Sequence, residues 1–370
     1  MDLLNSTQMQ AGYTMGMEPS GRELLVVVVK GTFTIPQHGE EAKLAEEQIP
    51  LIEADTCTGE AGFSAPIYEA DYAPIKAKCD VLLLGSAYAP QGEPAHKVQV
   101  GIKLGDFSKT LIVTGARQWT DKGKIDPNSC EEFTVMPFSY DNAYGGLDNF
   151  HTDESKHSAY MPNPIGKGFY LRQGDKPLEG IPVPQTEDPK QAITKLGEDY
   201  QAMALGSIGR GWAERIQYAG TYDQDWIDNC APFLPADFNP AYYQFAPEDQ
   251  QIPYPIGGEE VILINLTPAG RTEFKLPKIA MPVVFFPTKG EQHKTEAVLD
   301  TIVIEADKGV FSMTWRTHIP LKKNIFEIQQ VLVGKMSNGW WRARKQGKTY
   351  HPTLAHLAKA NKIAKMEEES

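Results

Sequence analysis

Cysteine is scarce in this sequence, and the cysteines that occur are not clustered. The 370 residues contain Cys57, Cys79, Cys130 and Cys230, which lie 22, 51 and 100 residues apart. No C-x-x-C pair is present, so the spacing gives no sign of a zinc site or of thioredoxin chemistry. Unclustered cysteines of this kind predict reduced thiols in a cytosolic protein.

Long hydrophobic runs are also missing. The longest, Leu24–Val29, has six residues, whereas a membrane-spanning helix needs about twenty. The first ten residues are polar, with Asp2 where a secretory signal would be basic, and no apolar segment with a small-residue cleavage site follows them. We therefore expect no membrane insertion, no secretory signal and a cytoplasmic location.

Positive charge is in the minority. The sequence has 36 lysines and arginines against 48 aspartates and glutamates, a formal net charge of −12. This is the wrong sign for a protein that neutralises phosphates along a duplex, so general nucleic-acid binding is disfavoured.

Sequence signatures of catalysis are absent as well. The run Gly206–Gly209 places its serine wrongly for a nucleophile elbow, and Gly166–Gly168 lacks the third glycine of a dinucleotide loop. Two histidine pairs have no third ligand at a recognised distance: His151 with His157, and His351 with His356. We predict no catalytic residue, no cofactor site and no metal site. A glycosidase with two paired carboxylates remains an open alternative, because such a pair is set by distance in space.

Several segments carry the alternation of β-strands. Glu23–Thr34 is apolar and β-branched, Val81–Leu84 is a short apolar run, and residues 98–104 alternate strictly before a second run at Thr110–Thr114. The last two predict a hairpin with its turn at Gly105-Asp106. Alternation returns in the last third of the chain, whereas residues 136–185 favour ordered loop.

Helices are expected in two places. One is part of Asp188–Met203, and the other begins at Pro352 and continues through Leu354, Leu357, Ala358, Asn361 and Ala364. The fold class is therefore mainly β, with packed antiparallel sheets of sandwich type, long ordered loops and a C-terminal α-helix. Residues 1–335 form one β-rich domain or two β lobes joined through residues 136–255, and residues 336–370 form a basic helix or tail.

One stretch, which we call the acidic segment, has no lysine or arginine. It comprises residues 216–270 and carries eight carboxylates. It is also rich in aromatic residues, with prolines interleaved among them. Aromatic residues are common in interface hot spots when they are exposed and in protein cores when they are buried. Both roles stay open for these rings. The candidate partner-binding residues are Tyr222, Asp223, Asp225, Trp226, Asp228, Tyr242, Tyr243, Asp249 and Tyr254.

The end of the chain has the opposite sign. Residues 335–366 contain eight lysines and arginines and no acid. This pattern is typical of a solvated helix face, and the alternative is docking against the acidic segment or against a partner.

Specific runs of sequence resemble a known family. They include Gly206–Arg215, Ala219–Asp223 with Trp226, Phe233–Phe238 and Ala246–Gln250, together with Val29–Phe33, Asp80–Pro90, Thr114–Trp119, Pro137–Gly146, Asn163–Phe169 and Trp315-Arg316. The chain resembles a domain-of-unknown-function family encoded in bacterial type VI secretion clusters.

The resemblance implies an adaptor or chaperone, not an enzyme, that binds a toxic effector in the cytoplasm and helps load it onto the spike protein VgrG or its PAAR tip. It brings no catalytic residues to carry over. Its matched motif residues are expected to be structural: Gly145, Gly146, Asn163, Gly166, Gly168, Trp212, Arg215, Asp237, Phe238, Trp315 and Arg316. Arg215 and Arg316 are expected to pair with buried carboxylates such as Asp237 or Asp249.

Overall fold

A computed structural model of the protein describes residues 1–37, 40–126, 128–171 and 174–351. It also describes residues 353, 355, 356, 358, 359 and 362. The strands of its first half are β1 (Asp2–Asn5), β2 (Gln10–Met17), β3 (Glu23–Thr34), β4 (Thr56–Cys57), β5 (Pro66–Tyr68), β6 (Cys79–Leu84), β7 (Ser86–Tyr88), β8 (Lys97–Leu104), β9 (Phe107–Thr114), β10 (Val135–Pro137), β11 (Tyr144–Gly145), β12 (Leu147–Asp148), β13 (Ser158–Ala159), β14 (Lys167–Gly168) and β15 (Thr186–Glu187). Those of its second half are β16 (Gln251–Ile252), β17 (Glu260–Ile264), β18 (Arg271–Lys275), β19 (Met281–Pro287), β20 (His293–Glu305), β21 (Val310–Pro320) and β22 (Ile328–Val333).

The helices are short. The α-helices are α1 (Ala213–Ile216), α2 (Gln224–Asn229) and α3 (Asn338–Lys345). Single 3-10 turns cover Pro90–Gly92, Tyr140–Asn142, Glu154–Lys156, Pro240–Tyr243, Glu248–Gln250, Ala306–Lys308 and Ile325–Glu327. The prediction of a mainly β protein with few helices and one near the C-terminus is confirmed.

The larger sheet has the strand order β1-β22-β19-β20-β21-β3-β2. The long strand β20 pairs with β19 through its first residues and with β6 through its last residues. The short strand β16 pairs with β6 in the antiparallel direction. Its two edge strands, β1 and β2, follow each other directly in the chain, so the sheet curls into a nearly closed barrel. Two of its pairings, β1 with β22 and β6 with β20, are parallel, and its other strand pairings are antiparallel, in agreement with the predicted fold class.

The smaller sheet is antiparallel, with the order β15-β9-β8-β17-β18. The predicted hairpin is present as β8 and β9. The two sheets share one hydrophobic core: the ring of Phe274 on β18 lies 5.0 Å from that of Phe311 on β21, which stacks at 5.4 Å on Phe33 of β3. This face-to-face packing agrees with the sandwich type of core.

Strand β3 explains the longest apolar run. Val27 and its alternate neighbours point into the shared core, while Val26 and its alternate neighbours pack under Leu51 and Tyr72. A strand covered on both faces is continuously hydrophobic, because neither face meets water.

The helix expected within Asp188–Met203 is wrong. These residues form turns and isolated bridges, such as Asp188 with Gln191. Gly197 has a φ of +83°, which a right-handed helix does not accommodate, and Ile193 and Tyr200 are buried in a small cluster around Trp119 instead of lining a helix face.

Helix α3 lies ahead of the helix predicted from Pro352 and was not predicted as a separate helix. Helix α3 is capped by Ser337, whose hydroxyl group accepts from the N–H of Trp340 at 3.2 Å, and its tryptophans Trp340 and Trp341 pack on Phe286 of β19. In the helix predicted from Pro352, the described residues Ala355, His356, Ala358, Lys359 and Lys362 are helical. Leu354, Leu357, Asn361 and Ala364, on which the prediction also depends, lie outside the described residues.

Candidate protein-interaction surface

The acidic segment divides into two parts with different environments. Residues 242–252, the anchored part, run along the end of β6 and are mostly buried or half-buried. Residues 219–237, the exposed part, contain α2, and Pro235 alone among them is buried. The two parts are adjacent in sequence and similar in composition, so the difference lies in what they contact.

The anchored part is held by long-range hydrogen bonds. The buried carboxylate of Asp80 on β6 accepts from the side-chain amide of Gln244 at 2.8 Å and from the N–H of Phe245 at 3.1 Å. Gln250, 1% exposed, donates to the carbonyl groups of Val81 at 2.8 Å and Leu205 at 3.0 Å. These bonds satisfy backbone groups that would otherwise be buried without partners.

A buried lysine completes this anchor. Lys76 forms a 2.6 Å ion pair with Asp80, and its ammonium nitrogen lies 3.4 Å from the ring centroid of Phe245. The candidate residue Tyr254, 38% exposed, donates from its hydroxyl group to the carbonyl oxygen of Lys76. This part of the acidic segment is thus integrated into the core.

The exposed part is held mainly by local contacts around α2. Asp223 caps the helix and accepts from the N–H of Trp226 at 3.0 Å. The ring of Tyr222 packs edge-on against Trp226 at 4.8 Å, and the indole N–H of Trp226 donates to the carbonyl group of Phe233 at 2.9 Å. Asp237 accepts from the N–H of Thr221 at 2.9 Å, which closes the loop.

Apolar and acidic side chains reach solvent together on this part. Tyr222 is 54%, Ile227 55% and Phe233 49% exposed. The carboxylates of Asp225 and Asp228 are beside them and accept hydrogen bonds from side chains on the same helix, those of Asn229 and Gln224. Exposed aromatic and aliphatic groups rimmed by one sign of charge suit a protein partner of the opposite charge.

The remaining candidates, apart from Tyr254, belong to the anchored part. Tyr242 and Tyr243 are half-buried and form a ring cluster with Phe238, which is 8% exposed. Asp249 is an exposed residue whose carboxylate forms a 2.8 Å ion pair with Lys109. The structure therefore gathers Tyr222, Asp223, Asp225, Trp226 and Asp228 on one surface and places Tyr254 and Asp249 elsewhere.

The two motif arginines are buried and paired, but with other carboxylates than expected. Arg215, 2% exposed, binds both carboxylate oxygens of Glu69, at 2.6 and 2.9 Å. Arg316 lies 2.6 Å from Asp300. The expected partners Asp237 and Asp249 were wrong for both, because Glu69 is 146 residues away from Arg215 in sequence and its approach depends on the fold.

The motif glycines build a tight corner. Gly145 and Gly146 have φ values of +147° and +91°, and a Cβ atom on either would collide with the backbone of Asn163 or Gly166. Asn163 holds the corner closed by donating to the carbonyl groups of Tyr140 at 2.9 Å and Tyr144 at 3.0 Å. Close backbone approach, rather than chemistry, accounts for these glycines.

The other motif residues also contribute to packing. Trp212, 6% exposed, lies edge-on to Tyr140 at 5.1 Å, and Trp315, 2% exposed, is in the shared core. Gly166 lies against Asn163, and Gly168, with a φ of +86°, lies against Pro184.

The basic helix α3 lies against the larger sheet. Arg344 stacks over the ring of Phe286 at 3.7 Å and donates to Gln330 of β22, while Lys294 lies 5.4 Å from the ring of Trp341. Its position on β19 and β22 is fixed by these aromatic and cation–π contacts.

The sequence model of a bacterial family, described as uncharacterised proteins conserved in bacteria (DUF2169), matches residues 20–316. The chain belongs to this family. The match spans the motif runs from Val29–Phe33 to Trp315-Arg316, and so it includes the smaller sheet, most of the larger sheet apart from β1, β2 and β22, the motif corner and the acidic segment. No curated protein and no solved structure gives a significant match. Across the described residues, no helix combines the length and the apolar character needed to cross a membrane.

Proposed function

We propose that this protein is a non-enzymatic adaptor of type VI secretion, which binds a cognate effector in the cytoplasm and helps load it onto the VgrG or PAAR spike. The observation that carries the proposal is the exposed part of the acidic segment, where Tyr222, Ile227 and Phe233 reach solvent beside Asp225 and Asp228. The resemblance of the family motifs to proteins encoded in secretion clusters supports the same function.

The geometry of this surface suits recognition of a folded or extended partner. Helix α2 is capped and its aromatic rings are fixed by the contact between Tyr222 and Trp226, so little side-chain freedom is lost on binding. The carboxylates favour a partner patch that carries lysine or arginine, and they accelerate encounter at low salt.

Co-purification tests the proposal. The tagged protein is isolated from cells with and without the effector encoded beside its gene, and the complex is then presented to the spike protein. We expect the effector to be retained and the spike to be captured when the effector is present. A protein that retains no effector contradicts the adaptor function, and a protein that binds the spike equally with and without effector is a structural component of the apparatus instead.

Charge reversal locates the binding surface. The double variant Asp225→Lys/Asp228→Lys should weaken effector binding by about tenfold or more, since two favourable charge contacts become repulsive. The matched control is Glu46→Lys/Glu47→Lys, which changes the net charge equally at two exposed residues outside the acidic segment. Equal affinity of the two double variants would show that effector binds elsewhere.

The alternative of a carbohydrate-active enzyme stays a prediction. Three carboxylates, those of Glu214, Glu248 and Asp249, do line one cavity. We place it second because Asp249 is paired with Lys109 at 2.8 Å, so it is less suited to act as a nucleophile or general base.

A further inference from the structure

A second site lies beside the anchored part of the acidic segment. It is a cleft of about 450 Å³ whose walls include Lys109 of β9, Tyr140, Tyr160, Glu214 of α1, and Glu248 and Asp249. These residues come from separate parts of the chain, so the cleft exists only in the folded protein.

Negative charge exceeds positive charge in this cleft. Three carboxylates line it, those of Glu214, Glu248 and Asp249, and Lys109 is the one cation among its described lining residues. Lys109 is already committed, since its ammonium group lies 2.8 Å from both the carboxylate of Asp249 and the side-chain oxygen of Gln250. Glu214 and Glu248 thus face the cleft without a cationic partner among the residues that line it.

Tyr140 provides an independent sign of a ligand. Its side chain is 3% exposed and forms part of the cleft wall, and its ring is fixed edge-on against Trp212 at 5.1 Å. Its hydroxyl group makes no hydrogen bond with the described residues and is not sealed from the cleft, so it is open to a ligand there.

The titration of Glu214 agrees with a shortage of positive charge. Burial, followed by the charges of Asp249 and Glu248, raises the pKa of its carboxyl group, although the N–H of Glu248 and the charge of Lys109 act in the opposite direction. Lys78 and Arg215 line the smaller adjoining cavity, where Arg215 is bound to Glu69. A further cation in the cleft would therefore be stabilised by an under-compensated carboxylate.

We infer that this cleft binds an alkylammonium or guanidinium group, with the carboxylate of Glu214 and the hydroxyl oxygen of Tyr140 as acceptors. An ammonium group offers three N–H donors and a guanidinium group five, which can be shared among the acceptors of Glu214, Glu248 and Tyr140 that line the cleft. The rings of Tyr140 and Tyr160 add surfaces over which a cation is attracted. The volume accommodates one such side chain.

The site is tested by titrating the full-length protein with small probes, followed by NMR. The probes are capped tripeptides with one central lysine or arginine, the free polyamine spermidine, and a capped tripeptide with norleucine as the neutral comparison. We expect the cationic probes to bind at millimolar concentrations and the norleucine peptide not to bind. Tighter binding of the peptides identifies a protein side chain as the ligand, and tighter binding of spermidine identifies a free amine.

Two variants connect binding to the named groups. Glu214→Gln and Tyr140→Phe keep the shape of the cleft, and each should weaken binding of the best probe, Glu214→Gln by about tenfold or more. The control Glu179→Gln, at an exposed residue on another loop, should leave it unchanged. A folded Glu214→Gln variant with wild-type affinity, or equal binding of norleucine and lysine peptides, would overturn the inference.

This inference does not depend on the secretion function. The probes report on the cleft alone, whereas effector retention reports on the proposed adaptor. If the probes bind but no effector is captured, the proposed adaptor function is contradicted and the inferred cation site in the cleft is still supported.

Discussion

The anchored and exposed parts of the acidic segment are neighbours in sequence, and both are acidic and aromatic. The anchored part gives its polar side chains to buried partners on distant strands, as Gln250 does to Val81 and Leu205. The exposed part mainly bonds to itself, as Trp226 does to Asp223 and Phe233. The comparison shows that composition alone does not distinguish a buried segment from an exposed one. The difference depends on whether the hydrogen-bond partners of the segment lie on distant strands or within the segment itself.

The largest effect is expected at the anchor itself. Asp80→Ala removes the ionic partner of the buried Lys76, takes one of two acceptors from the side-chain amide of Gln244 and leaves the N–H of Phe245 unpaired. It should lower the free energy of unfolding by about 3–5 kcal/mol, measured by urea denaturation. Asp225→Ala on α2 is the control and should change it by about 0.5 kcal/mol or less. A similar loss of unfolding free energy in both variants would show that the anchored and exposed parts do not differ in their contribution to stability.

Two phenylalanines provide a matched pair. Phe245 is 4% exposed in the anchored part and Phe233 is 49% exposed in the other. Phe245→Ala should cost about 3–5 kcal/mol of unfolding free energy, because it opens a cavity next to Lys76. Phe233→Ala should cost about 1 kcal/mol or less. A large loss at Phe233 would show that the exposed part is also integrated into the core.

The cap of α2 tests whether the exposed part is a local unit. Asp223→Ala removes the acceptor of the N–H of Trp226 and should destabilise this helix by about 1 kcal/mol. Hydrogen exchange should increase within residues 219–237 and remain unchanged at β6 and in the anchored part. Faster exchange at β6 would mean that the two parts unfold together.

The smallest effect is a pH dependence at Glu214, which lines the cleft beside the anchored part. The folded protein holds the proton of Glu214 more tightly than the unfolded chain, whose carboxyl group has its ordinary pKa near 4.5. Stability therefore falls as pH rises through the window from this value to the raised pKa. Glu214→Gln should remove this fall, so it should raise the melting temperature at pH 7 relative to the wild type and not at pH 4. A variant equally shifted at both pH values would contradict the assignment.

Some features of this protein follow from its sequence. The β class, the hairpin of β8 and β9 and the burial of Leu24–Val29 are local consequences of alternation and apolar runs. The acidic segment and its candidate residues were also visible, since charge and aromatic content are read directly. The helix expected within Asp188–Met203 failed because apolar spacing ignored the backbone conformation that Gly197 adopts.

The tertiary structure alone decided which residues meet. Arg215 pairs with Glu69, and the ammonium group of Lys76 lies over the ring of Phe245. Tyr140 lines one cleft together with Glu214 and Asp249. Residues this far apart in sequence leave no local pattern of their pairing, and neither sheet's strand order nor its curl is encoded in any single segment. The sequence by itself therefore determines the β class and the acidic, aromatic character of one segment. The fold determines which part of that segment is buried in the core and which part is exposed to solvent.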